Sequence, residues 1–294
     1  MLRRVVACVV AAAATAAACP FATVVHVHQW TAAVSDRLRR ARDSLGARGC
    51  RLIVVTTGFA ATIEGVETVD GTETAELQRR YPSLSGSLHR KAFAGWKGDR
   101  GVLLAYAHAE ARKPPLERFF WNVEADVEWK GDLYEILDDW SDRSEDLLCI
   151  DLRRSTYDWP HLQSHDKGDW LLDVDKHNCL MTIARASGAL LREVLDVATR
   201  PGHRAYLELR FASECARRRR TFANCTMREL FDSDDRIERR RGDMFTWTGS
   251  RRHRRFNRPS RFAEIFAKAK NGTLWHPVKD PGAWAVDVAA APPK

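Results

Sequence analysis

Paired-cysteine motifs are absent from this chain. None of its seven cysteines stands in a Cys-x-x-Cys pair, which excludes a zinc ribbon and a thioredoxin-like redox site. Seven cysteines over 294 residues are also too few and too scattered for a disulfide-dense miniature scaffold. Gly-x-Ser-x-Gly, P-loop and His-Glu-x-x-His motifs are missing too, so nucleophile-elbow hydrolase, P-loop NTPase and zincin chemistry have no foothold. No internal repeat and no long low-complexity linker follows residue 25. With 29% charged residues and a mean hydropathy of −0.40, a disordered chain, a collagen and a many-helix membrane protein are excluded. What is present is enough chain for one large domain or two small ones around a sizeable core, carrying a net charge of +8.

Arg3 and Arg4 precede an uncharged stretch from Val5 to Val25, 21 residues and close to the length that spans a bilayer. It is rich in alanine and weakened by Thr15, Pro20 and Thr23. Two readings compete. As a signal-anchor it gives a single-pass Golgi or ER membrane protein with a lumenal C-terminal domain. As a cleaved signal peptide, Ala16-Ala17-Ala18 before Cys19 supply the processing site and the protein is secreted. Both send the body of the chain into the secretory pathway, and Asn224-Cys225-Thr226 and Asn271-Gly272-Thr273 fit the N-glycosylation pattern. In an oxidising lumen Cys50, Cys149, Cys179, Cys215 and Cys225 are candidates for pairing, Cys215 with Cys225 being the most plausible couple. The competing reading buries all five as small hydrophobes.

Ala32 to Ala47 predicts a helix with an arginine-rich exposed face, and Cys50 to Thr57 predicts a buried, β-branched strand ending at Gly58. Residues 59–90 are polar and turn-rich. Ala92 to Ala111 predicts a helix closed by Lys113-Pro114-Pro115. Arg118 to Val127 starts as an aromatic and aliphatic strand and ends in carboxylates. A short helix from Leu133 to Trp140, a strand from Asp146 to Ile150 and an amphipathic helix from Thr182 to Thr199 follow. The alternation predicts an α/β sandwich with Cys50–Thr57 and Phe119–Val127 as neighbouring central strands.

Charge is uneven. Glu117 to Asp158 holds 13 acids against 5 bases, a net of −8, and Arg200 to Arg258 holds 17 arginines against 8 acids, a net of +9. Carboxylates gathered this way can hold a divalent cation, and arginines can bind phosphates or an anionic polymer; a solvated surface is the alternative for both. Glu124 and Asp126 are two positions apart, so on a strand they share one face while Val123, Ala125 and Val127 face a core. Such a pair suits Mg²⁺ or Mn²⁺, which takes one or two protein carboxylates and completes its shell with water and substrate phosphates. Acids capping a turn or pairing with arginines are the plainer alternative. His161, His165 and His177, near Asp166, Asp169, Asp173 and Asp175, match no zinc spacing and read as a polar loop. Trp159, Trp170 and Trp247 read as buried aromatics, with stacking on sugar rings as the alternative.

The segment Phe120-Trp121-Asn122-Val123-Glu124-Ala125-Asp126-Val127-Glu128-Trp129-Lys130-Gly131-Asp132 resembles the strand-plus-carboxylate motif of GT-A-fold glycosyltransferases, and more closely that of poorly characterised eukaryotic glycosyltransferase-like proteins. Lys97 to Tyr106 resembles the helix ahead of that strand, and Ser144 to Leu148 the strand where the fold resumes. Arg185 to Leu191 is similar to the acceptor-side helix start, Gly202 to Glu208 to the downstream acidic segment, and Leu274-Trp275-His276-Pro277-Val278-Lys279 to the late His-Pro near the metal. The pattern departs in its first carboxylate, which is Glu124 rather than aspartate.

The resemblance implies a GT-A-like (Rossmann-like) α/β mixed sheet flanked by helices, and transfer of a sugar from a nucleotide-sugar donor to a glycan, protein or lipid acceptor. It implies Asp126 and His276 as ligands of Mn²⁺ or Mg²⁺, and Glu124 at the ribose or a metal-bound water. It further implies Lys279, Arg251, Arg252 and Arg255 on the diphosphate, and Glu208 as the base of an inverting transfer; a retaining enzyme needs no such base. The expected organisation is a leader over 1–25, a helical lead-in over 26–49, the transferase domain over 50–280 and a tail over 281–294. The rivals are a non-catalytic lumenal protein that binds anionic glycans and a metal-dependent hydrolase. Nucleic acid is disfavoured as a partner by the secretory leader and the acidic stretch. In intact microsomes residues 26–294 are expected to resist protease until detergent is added, and glycosidase treatment should shift the product's mobility; digestion without detergent and no shift would sink the lumenal reading.

Overall fold

Seven of the described strands build one mixed sheet, and one of its interior strands comes from the stretch that reads as a leader. The computed structural model describes residues 19–72, 74–84, 98–111, 117–154, 170–172, 176–203, 205, 207–224 and 274–275. Along the chain run β1 (Phe21–Val27), α1 (Ala32–Gly46), β2 (Arg51–Thr56), β3 (Glu67–Asp70), α2 (Ala75–Arg80) and α3 (Gly98–Ala111). Then come β4 (Phe119–Glu124), β5 (Glu128–Trp129), α4 (Leu133–Asp138), β6 (Leu147–Arg154) and β7 (His177–Ser187). The remaining described elements are α5 (Gly188–Ala198), α6 (Leu207–Arg217), β8 (Phe222–Asn224) and β9 (Leu274–Trp275). The main sheet has the order β3-β2-β1-β4-β7-β6-β8, and β5 pairs with β9 in a second, two-stranded sheet. β1 to β4 run parallel, β7 runs antiparallel between β4 and β6, and β8 is parallel to β6.

Every residue of β1 is buried. Phe21, Val25 and Val27 pack in the layer of α1 and α4, whereas Ala22 and Val24 face α3, α5 and α6. The period of two along the strand therefore serves two apolar layers, and the strand reads as a continuous apolar run. That run cannot be told from a membrane segment by composition, which is why residues 21–25 read as the end of a leader. The correction reaches further. β1 and α1 belong to the α/β unit, so residues 21–49 are neither leader nor lead-in. β2 and β4 are not neighbours either, because β1 lies between them.

α1 starts at Thr31, whose side chain accepts a hydrogen bond from Val34 N, and lays Val34, Leu38, Ala41 and Leu45 on the sheet at helical spacing. Its arginine face is not wholly exposed as expected, since Arg37 is buried. Arg51, at the entrance of β2, bonds Glu67 at 2.8 Å and Glu117 at 2.9 Å, tying the entrances of β3 and β4 across β1. Residues 59–90 supply β3 and α2.

The expected helix over Thr182 to Thr199 splits at Ser187. Residues through Ser187 form β7, hydrogen-bonded on both edges, and the Ser187 side chain caps α5 by accepting from Leu190 N at 3.1 Å. Sheet pairing overrides local helix preference here, and buried Arg185 fits because carbonyls meet it. It donates to Trp140 O and, at 2.7 Å, to Arg143 O, while stacking 3.9 Å over Phe119. The expected Cys215–Cys225 couple does not form: Cys215 is a free, buried thiol beside Thr221 O, and Cys225 lies outside the described residues. Among the described residues the disulfide is Cys19–Cys50, joining the entrances of β1 and β2. No helix among the described residues is long and apolar enough to cross a membrane.

That disulfide closes a loop of sequence separation 31. Cys19→Ser with Cys50→Ser is expected to lower the unfolding free energy by about 3–4 kcal/mol, read from the midpoint of a urea titration. An unmoved midpoint would mean that β1 is held by the sheet alone.

Candidate functional site

Strand order reverses between β1 and β4. From β1 the chain moves outward to β2 and β3, then returns to β4 on the other side, and in open α/β sheets ligands bind beyond the carboxyl ends of the strands at such a reversal. The parallel register pairs His26 with Glu124 at that edge. His26 is only 9% exposed, and its Nε2 shares a hydrogen bond with Thr57 Oγ1 at 2.8 Å. Helix α3 presses on it through Gly101, where any Cβ would stand 2.6 Å from His26 Cβ. Only glycine allows that approach.

The ends of β2 and β3 continue the rim. Gly71 N donates to Thr56 O at 2.7 Å, and Gly58 N donates to Thr72 Oγ1 at 3.1 Å. Hydrogen bonds from the Thr72 side chain and backbone N–H hold the Asp70 carboxyl below the usual carboxylate range. Trp30 and Phe59 meet edge to face at 6.1 Å, with Trp30 37% exposed.

β4 ends at Glu124, two residues short of Asp126, where the two-residue alternation would have to reach. Val127 N donates to Glu124 O at 3.0 Å and closes a turn that carries Asp126. Asp126 is therefore a turn residue, and strand alternation does not set its direction; the expected strand over Phe119 to Val127 is shorter for this reason. Both carboxylates are half-buried. The turn is held from behind by α1. Arg37 Nε donates to Glu128 Oε2 at 2.8 Å, and Arg37 Nη1 to Ala125 O at 3.1 Å. Arg40 also pairs with Glu128 and lies 4.7 Å over the Trp129 ring. β9 then pairs Trp275 with Glu128 and Leu274 with Trp129, so the chain just before His276 runs beside the Asp126 turn.

Of the residues singled out from sequence, Glu124 and Asp126 stand together at the carboxyl edge. Glu208 lies in the first turn of α6, half-buried, its backbone oxygen accepting from Cys179 Sγ on β7 at 3.9 Å. His276, Lys279, Arg251, Arg252 and Arg255 lie outside the described residues, as do His161, His165, Asp166, Asp169, Asp173, Asp175, Trp159 and Trp247. His177 starts β7 with its ring 5.8 Å from Phe222, and half-buried Trp170 lies 5.1 Å from the His203 ring. Arg217, Arg218 and Arg220 are engaged within the fold, the first two on Glu214 and the third on Glu193 and Asp146.

Among the described residues no group of three or more His, Cys, Asp or Glu side chains could hold a metal ion. The described residues of this edge supply no protein cage of zinc type. A magnesium- or manganese-type ion does fit, since it needs only one or two carboxylates and draws its other ligands from water and phosphate. A cavity of about 410 Å³ lies at the opposite, amino edge, lined by Tyr106, Arg118, Ser187 and Arg192 among others. It is far from the paired carboxylates, and Arg192 there is committed to Glu110 at 2.6 Å.

Sequence reasoning missed His26, Thr57, Arg37 and Glu128. The signal for His26 is its place at the end of an apolar run, which becomes informative only once that run is known to be a strand. Arg37 and Glu128 lie 91 positions apart, and nothing local marks them as partners.

No family model matches the chain, and no characterised protein matches it in sequence. Solved structures similar to it include a putative glucose-1-phosphate thymidylyltransferase from Bacillus anthracis, at 7% identity and a TM-score of 0.41, covering 80% of this chain and 99% of that one. Mouse xyloside xylosyltransferase 1 is another, at 10% identity and a TM-score of 0.41, covering 87% of this chain and 96% of that one.

Replacing Arg37 by Met leaves Glu128 buried with one cationic partner, the partly exposed Arg40, and should cost about 3–5 kcal/mol in unfolding free energy. Adding Glu128→Leu should return most of that loss, because the uncompensated carboxylate is then gone. A double-mutant cycle by chemical denaturation checks this; strictly additive losses would show that the pair is not coupled.

Proposed function

We propose that the chain is a metal-dependent glycosyltransferase that moves a sugar from a nucleotide-sugar donor to an acceptor in the secretory lumen. The observation that supports it best is the Asp126 turn: a carboxylate beside a second, Glu124, at the point where strand order reverses, braced by Arg37 and flanked by β9. A diphosphate leaving group carries growing negative charge, and a divalent cation bound at such a turn neutralises it. Asp126 is the proposed main ligand, with His276 as a second. Glu124 sits one position outside the turn's centre and suits the ribose or a metal-bound water. Lys279, Arg251, Arg252 and Arg255 are proposed to clamp the diphosphate, and Glu208 to take the acceptor hydroxyl proton if transfer inverts. The chain's own contribution is rigidity: Arg37 fixes the turn before substrate arrives, so little reorganisation is needed when charge develops.

The rival reading, a protein that grips anionic glycans through arginines, loses part of its basis. Arg217, Arg218 and Arg220 are committed to carboxylates of the same fold.

The test is calorimetric titration of nucleotide-sugar donors with and without Mn²⁺, for wild type and Asp126→Asn. Wild type should bind only with the ion, and Asp126→Asn should lose binding and, for the accepted donor, about 30- to 1000-fold in rate, equivalent to roughly 2–4 kcal/mol. Equal, ion-independent binding by both proteins would remove Asp126 from the mechanism and put the glycan-binding reading first.

A further inference from the structure

We infer that the chain is cut between Ala18 and Cys19 on entering the secretory pathway, and that the mature protein begins at Cys19 instead of staying tethered through its N-terminal segment. By sequence alone, anchor and signal peptide compete because Val5 to Val25 has the length of a membrane span. The fold claims the last third of that stretch. Phe21–Val27 is buried throughout, hydrogen-bonded between β2 and β4. Pro20 O accepts from Arg118 N at 3.0 Å and from Phe119 N at 3.2 Å. Cys19 is bonded to Cys50 and is 9% exposed. Cys19 to Val27 is thus built into the folded unit, and a residue cannot lie in the core of a sheet and in a bilayer at once.

Val5 to Ala18 remain, 14 residues. Even as an unbroken helix at about 1.5 Å per residue they would reach roughly 21 Å, against a hydrocarbon core about 30 Å thick. Eight of the 14 are alanine, which adds little to insertion, and no spacer separates the segment from the fold. A tethered protein would have to pull β1 out of the sheet to lengthen its span, exposing the two layers that Phe21, Val24 and Val25 hold together. Two arginines, a short uncharged run and a closing Ala16-x-Ala18 are instead the order and length of a cleaved signal peptide.

The step is hydrolysis of one amide by signal peptidase, with water as co-reactant. The bond between the Ala18 carbonyl carbon and the Cys19 nitrogen breaks; the hydroxyl of water goes to Ala18 and its hydrogen to the new amine of Cys19. The cut removes no residue of the described fold, and the Cys19–Cys50 bond then secures the new N-terminus.

The full chain, expressed in cultured eukaryotic cells, is read by N-terminal sequencing and intact mass of the lumenal or secreted product. The expected product starts at Cys19, is released from microsomes by alkaline carbonate, and yields a peptide joining Cys19 to Cys50. Ala16→Trp with Ala18→Trp should slow the cut and leave a product heavier by residues 1–18. A wild-type chain that starts at Met1 or Leu2 and stays in the carbonate-resistant pellet overturns the inference in favour of an anchor. A wild-type chain in the cytosol with Cys19 and Cys50 reduced overturns it as well. The readout is peptide mass, so the result is independent of whether Asp126 binds a metal.

Discussion

The buried ion pair of Arg37 and Glu128 is the constraint on which the carboxyl edge of this sheet depends. Arg37 comes from α1 and Glu128 from β5, so their 2.8 Å contact locks a helix that packs on β1 to the strand that follows the Asp126 turn. The second Arg37 nitrogen holds Ala125 O, inside that turn. Arg40 adds a further donor to Glu128 and covers Trp129. Desolvating such a pair is costly, and charges are retained in cores where geometry matters more than net stability. Here the geometry at stake is the direction of a turn bearing a carboxylate.

The same logic governs the other side of the carboxyl edge. His26 is fixed by Thr57 and by the absence of a side chain at Gly101, so the imidazole cannot retreat into α3. Gly71 is likewise pressed against Val55 and Thr56, which keeps the β3 end tight to β2. The carboxyl edge is therefore set by residues whose freedom has been removed by packing, around the paired ends of β1 and β4. Such rigidity suits a site that must meet developing charge without rearranging.

Much of the fold was legible in the sequence where elements are long and their periodicity is plain. α1, β2, α4 and the body of β4 fall within a few residues of expectation, and α3 ends at Ala111 as expected, because apolar spacing at 3.6 or 2 follows from burial on one face. Pairing was not legible. The second half of β7, from Thr182, reads as a helix because Ala184 and Ala186 carry little strand preference, and only β4 and β6 on either side make it a strand. The disulfide was likewise assigned elsewhere, since Cys19 seemed to belong to a leader and Cys215 to Cys225.

By itself the sequence determined the α/β class, the charge asymmetry and the pair of acids that closes an apolar strand, since these follow from composition and short-range spacing. Only the tertiary structure decided that Phe21–Val27 is an interior strand between β2 and β4, that Asp126 sits in a turn, and that Arg37 reaches Glu128. The reason is physical: an apolar run has the same composition whether lipid or protein surrounds it, and a contact 91 residues apart leaves no periodic trace. Burial on both faces of β1 distinguishes the two cases, and burial is a property of the folded chain alone.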